Sequence, residues 1–145
     1  MSGFDPERKP VGLTASAGYQ VGVRRTFALS REQVWSVLTS AAGMQLWLGD
    51  VVPFDVQAGA SFESRDGLRG TLRIVKPYEQ IRMAWQRQHW NNPSTLQIRL
   101  IEGGANKTTV SFHQEKLQDP ITRAEMKEHW DDTLSKLLEL GRNMQ

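Results

Sequence analysis

Cysteine is missing from all 145 residues. That rules out a disulfide framework, a thiolate metal site and a cysteine nucleophile, and it fits a reducing compartment, so the expected location is cytoplasmic. Long apolar runs are missing too. Nothing in the chain is long enough for a signal peptide or a membrane span, and without a secretory signal the sequon Asn106-Lys107-Thr108 carries no weight. Neither sign of charge prevails, since eighteen basic and sixteen acidic residues leave a formal charge of +2. The concentrated basic footprint of a nucleic-acid binder is therefore absent, and no nucleic-acid partner is expected. Nor is there a glycine-rich phosphate loop, a Gly-x-Ser-x-Gly elbow, an internal repeat or an interdomain linker.

What the chain does have is a succession of short elements. Residues 1–18 are polar and contain Pro6, Pro10 and Gly12, and are expected to form a flexible or irregular leader, with a single domain over 19–145. Alternation of Tyr19, Val21, Val23 and Phe27 predicts a first strand. Ser30 and Gln33 have capping-box spacing, so a helix should begin at Arg31 and bury Val34, Trp35, Val37, Leu38 and Ala41. Gly43 should then break the chain before a second turn or helix containing Met44, Leu46, Trp47 and Leu48. Six further strands are expected at 52–56, 61–65, 68–76, 80–87, 94–101 and 107–115, separated by turn signals such as Asp66-Gly67 and Asn91-Asn92-Pro93. One phase of these strands is apolar (Leu72 with Ile74; Ile81, Met83 and Trp85; Leu96, Ile98 and Leu100; Val110 and Phe112). The other carries Arg73, Arg82, Gln97, Arg99, Ser111 and His113, and reads as a wet face.

The last third is one amphipathic segment. Asp119 is a good N-cap, Pro120 a good first helical residue, and Met126, Trp130, Leu134, Leu137, Leu138 and Gly141 recur at steps of three and four, with Gly141 where a C-terminal cap is expected. A helix over 120–140 would be about 31 Å long, enough to cross seven strands. The fold class is therefore α+β: a curved antiparallel seven-stranded sheet around a long C-terminal helix, with two short helices after the first strand. One helix covering a curved sheet tends to leave a cavity.

This order resembles the helix-grip fold of START-like (SRPBCC) proteins. The runs Glu32-Gln33-Val34-Trp35-Ser36-Val37-Leu38-Thr39, Leu46-Trp47, Val75-Lys76-Pro77-Tyr78-Glu79-Gln80-Ile81-Arg82-Met83-Ala84-Trp85 and His129-Trp130 with Leu134, Leu137 and Leu138 resemble the activator of heat-shock-protein-90 ATPase homologue-like family. The resemblance implies a groove between sheet and helix, binding of small hydrophobic molecules such as lipids, and a link to chaperone regulation and the stress response. In a few relatives it implies cyclase-like chemistry. The resemblance also implies that eukaryotic relatives which stimulate the chaperone dock through an additional N-terminal domain, and such a domain is not expected within these 145 residues, so direct chaperone activation is not the leading expectation.

The expected ligand-binding residues are Arg25, Met83, Trp85, Leu96, Ile98, Phe112, Met126 and Trp130, which share the inward phase of their elements; the competing reading is that they simply fill the core. Arg25 is a cation in an apolar phase, placed to meet a ligand carboxylate or phosphate or to snorkel to the rim, and Arg87 continues the Met83 and Trp85 phase in the same way. Glu125, His129 and Asp132 fall at helical spacing, but no second histidine stands at ligand spacing, so no metal and no cofactor is expected. No pair of carboxylates marks a sheltered acid–base site, so no catalytic residue is assigned. The leading expectation is non-catalytic binding of a small hydrophobic molecule. A chaperone-related interaction module meeting partners through Arg73, Arg82 and Arg99, or a cyclase-like enzyme using the same pocket, are the alternatives.

Overall fold

The computed structural model describes residues 13–14 and 18–144. Apart from Leu13, Thr14 and Gly18, the expected leader over 1–18 lies outside the described residues. The elements run β1 (Leu13–Thr14), β2 (Gly18–Phe27), α1 (Arg31–Thr39), α2 (Ala41–Leu48), β3 (Ser61–Glu63), β4 (Arg69–Lys76), β5 (Gln80–Gln86), β6 (Ser94–Gly104), β7 (Lys107–Leu117) and α3 (Pro120–Asn143). They form one antiparallel sheet in the order β1-β2-β7-β6-β5-β4-β3. The arrangement is the helix-grip one, with α3 packed on β2 and β7 and against both short helices.

Six of the seven strands expected from the sequence form, and the count of seven needs correction. Residues 52–56 are not a strand: Pro53 has no N–H to give a ladder, and Val52 is 85% exposed. Among the described residues, the sheet holds six strands of three residues or more and the two-residue pairing of β1 with β2.

Local signals set the helices. Ser30 caps α1 by accepting from the N–H of Gln33 at 3.2 Å, while the Gln33 side chain accepts from the Ser30 N–H at 2.9 Å. Ser40 ends α1 and begins α2, donating to the Val37 carbonyl and accepting from the Gly43 N–H. The break between the helices is therefore at Ser40, and Gly43 lies inside α2. Its role is proximity: a Cβ there would stand 1.9 Å from the Val37 carbonyl oxygen. Asp119 caps α3 by accepting from the Thr122 N–H at 2.7 Å, and that bond holds its carboxyl below the usual carboxylate range. Gly141 does not end the helix. It is buried within α3, where a Cβ would meet Leu29 Cδ1 at 2.8 Å, and the cap falls at Met144.

The alternation slips once. A bulge between Leu72 and Ile74 turns Ile74 outward, opposite Arg82, and gives its inward place to Val75, which pairs with Ile81. Elsewhere the inward phase holds. Leu72, Ile81, Met83, Trp85, Leu96, Ile98, Phe112, Met126, Trp130 and Leu134 are all at most 1% exposed. On α3 it is Leu137 that is buried beside Leu134, with Leu138 half-buried.

Candidate functional site

Three tryptophans organise the interior. The four C-terminal carbonyls of a helix have no intrahelical partner, and two of these orphans are met by indoles: Trp47 Nε1 donates to the Leu38 carbonyl of α1 at 2.9 Å, and Trp85 Nε1 to the Trp47 carbonyl of α2 at 3.2 Å. Trp130 on α3 packs edge-on to Trp85, with ring centroids 5.2 Å apart, and lies 5.0 Å from Phe112. Met83, Leu96, Ile98, Phe112, Met126 and Trp130, all expected to bind ligand, thus come together as packed core. Trp85 alone of the apolar set also lines a cleft.

That cleft, of about 290 Å³, opens where the C-terminus of α2, the turn before β4, the end of β5 and the middle of α3 meet. Its apolar wall includes Leu46, Trp47, Leu68 and Trp85, and its polar wall includes Asp66, Arg87, His89 and His129. The volume sits at the lower edge of the range of roughly 300–1,000 Å³ usual for small-molecule sites. On the other side of Arg87 and His129 lies a shallow, open depression lined by Arg25, Glu125, Glu128, Asp131, Asp132 and Ser135. Arg25 points there, donating to Ser135 Oγ at 2.6 Å, so this cation is spent on α3 and does not reach the apolar cleft.

Arg87 and His129 form the ridge between the two depressions. The Arg87 guanidinium carbon stands 5.7 Å from the Trp85 ring centroid, and its Nη2 makes a long 3.4 Å contact with His129 Nδ1. Arginine only donates, so the pairing makes Nδ1 the acceptor and leaves the imidazole proton on Nε2. Burial, and then the neighbouring Arg87 charge, push the His129 pKa down from 6.5 to about 4, so the ring is neutral at physiological pH. Burial also works against the charge of Arg87, partly offset by Glu125. Glu125 and Asp132 do not join His129 in a cluster, and no group of three histidine, aspartate or glutamate side chains suited to a metal occurs among the described residues.

Sequence reasoning missed Gln114. It is 0% exposed and receives the Trp130 indole proton on Oε1 at 2.8 Å. Its position in the apolar phase, two after Phe112, was the available signal.

On the outer face, Lys76, Gln80, Arg99, Ser111 and Arg24 stand side by side across four strand pairings, with Arg82 in the adjoining row. No helix among the described residues is long and apolar enough to cross a membrane.

Three solved structures illustrate the likeness of fold. MLL2253 from Mesorhizobium loti is 21% identical with a TM-score of 0.73, over 87% of this chain and 98% of that one. CalU16 from Micromonospora echinospora, in solution, is 20% identical with a TM-score of 0.72, over 89% and 70%. PFC0360w, an HSP90 activator from Plasmodium falciparum, is 19% identical with a TM-score of 0.60, over 69% and 74%. No protein with a curated description matches. The family model described as Activator of Hsp90 ATPase homolog 1-like protein matches residues 28–141, in agreement with the helix-grip architecture and the motifs around Trp35, Trp85 and Trp130, and the chain belongs to that family.

Proposed function

We propose that this protein is a non-catalytic binding module that takes a small, largely apolar molecule at the mouth of the grip. The observation that carries the reading is the double position of Trp85, which is part of the packed core on one side and a wall of the apolar cleft on the other. Met83, Phe112, Met126 and Trp130 then serve as the rigid backing that fixes this wall, and the ligand touches Trp85, Leu46 and Leu68. Fatty acids, sterols and aromatic polyketides are the classes to screen. A ligand that binds only the native state adds roughly 2.7 kcal/mol of stability at one hundred times its dissociation constant, which is visible as a rise in melting temperature. Leu46→Glu, which places a negative charge in the half-buried apolar wall of the cleft, should abolish that rise. If no compound raises the melting temperature or alters tryptophan fluorescence, the reading fails.

The second reading is a chaperone-related interaction module. It is favoured by the exposed cationic row on the outer face and by the fold likeness to an HSP90 activator. It predicts capture of heat-shock protein 90 that is lost in Arg82→Glu with Arg99→Glu and is indifferent to Leu46→Glu.

A further inference from the structure

Among the described residues Arg87 is the one permanent cation lining the apolar cleft, and its side chain makes a single hydrogen-bonding contact to them. A guanidinium carries five N–H donors in a planar fork. Here one makes the long contact to His129, and the guanidinium carbon stands over the Trp85 ring. No carboxylate among the described residues forms an ion pair with it. Arg31 and Arg65, by contrast, each pair with a carboxylate, and Arg25 and Arg123 each make a short hydrogen bond to a neighbouring element. Glu125 acts on Arg87 from the adjoining depression, favouring its charge without occupying its donors. A half-buried guanidinium beside an apolar wall, with its donors turned to no carboxylate of the described residues, is suited to receiving an anion.

Resting on the reading of this cleft as a ligand site, we propose that its occupant is a small carboxylic acid, with its apolar body against Trp85, Leu46 and Leu68 and its carboxylate on Arg87. A planar carboxylate matches the guanidinium fork with two parallel bonds. Among the described residues Arg87 and the acidic Asp66 leave the cleft lining without net charge, so a monoanion is better tolerated there than a dianion such as a phosphate monoester. Neutral His129, with its proton on Nε2, adds a donor without adding charge.

The test compares 2-naphthoic acid and decanoic acid with their methyl esters, using calorimetry and tryptophan fluorescence on the full chain. At neutral pH each acid should bind at least about tenfold more tightly than its ester. In Arg87→Gln that preference should fall to near unity, and Arg87→Lys should restore only part of it. The Arg87 Nε resonance should shift on adding acid and not on adding ester, a readout that a merely structural arginine would not give. Equal binding of acid and ester to the wild-type protein overturns the carboxylate assignment while leaving the apolar cleft reading intact. Binding of neither overturns the cleft reading, and this inference with it.

Discussion

The Trp130 indole donates to Gln114 Oε1 at 2.8 Å in a part of the protein where both residues are fully buried. The bond is the head of a chain. Gln114 Nε2 donates to Ser94 Oγ at 2.9 Å, and Ser94 Oγ donates to the Trp85 carbonyl at 2.6 Å. One line of polar groups therefore joins α3, β7, β6 and β5 through the middle of an apolar core. No buried side-chain nitrogen or oxygen among the described residues is left without a partner. In a low-dielectric interior such a line is worth little while complete and is costly to break, so it fixes how the helix lies in the grip more than it adds to bulk stability.

Gln114→Leu should accordingly destabilise the fold although it adds apolar surface. It strands the Trp130 N–H, at a cost of about 1–3 kcal/mol. Trp130→Ala removes packing as well and should cost about 3–5 kcal/mol. Trp130→Phe with Gln114→Leu removes both ends of the bond. In a denaturant-titration cycle the double variant should be more stable than the sum of the single losses predicts, by at least about 0.5 kcal/mol. Strict additivity would show that the bond does not couple helix to sheet.

Gly43 offers a steric test. An added methyl group at this position meets the Val37 carbonyl oxygen at 1.9 Å, and backbone cannot rotate away as a side chain can. Ala is the better helix former, so propensity alone predicts that Gly43→Ala stabilises α2. Overpacking predicts a loss of about 1–3 kcal/mol. Thermal unfolding should show the loss. A rise in melting temperature would mean that α1 and α2 separate freely, and that the cleft wall they carry is soft.

The same residue shows where the sequence stops being legible. Periodicity gave the inward phase of β5, β6, β7 and α3, because burial on one face imposes a repeat of two or of 3.6 that a single chain displays. Capping chemistry gave Ser30 and Asp119, because each cap bonds within three residues. A glycine is ambiguous: Gly43 and Gly141 look like helix ends, and the reason for each is a neighbour distant enough in the chain, or folded closely enough, to be invisible to local pattern. The bulge at Arg73 and the irregular path of 52–56 are likewise tertiary outcomes. Arg25 was legible as an anomaly, but its partner, Ser135, lies 110 positions away. The cleft itself gathers residues from four separated segments, so the sequence could name Trp85 and Arg87 without placing Leu46, Leu68 and His129 beside them.

Zinc tests the helix face of His129. Glu125, His129 and Asp132 have the spacing of a helical metal site, but His129 Nδ1 is turned to Arg87, whose positive charge opposes a divalent ion. Calorimetry should find no stoichiometric zinc binding. Submicromolar one-to-one binding that disappears in His129→Ala would overturn the assignment and revive an enzymatic reading of the cleft.

His129 should also make stability depend on pH. Its folded pKa is depressed to about 4 from 6.5, first by burial and then by Arg87, with Asp132 opposing and Lys136 adding slightly. Between those values the unfolded chain holds a proton that the folded chain refuses, so stability rises with pH in that interval. The contribution is whole above about pH 6.5, is lost progressively as the pH falls toward 4, and changes little below that. Titrating carboxylates act in the same range, so the comparison is with His129→Gln, in which they remain and the imidazole does not. Denaturant titrations from pH 7 to pH 4.5 should show a steeper decline in the wild-type protein than in the variant, and the ring resonances of His129 should titrate with a midpoint near 4. A midpoint at or above 6.5 would mean that the ring is solvated and charged in the folded state, and that the ridge it forms with Arg87 does not hold.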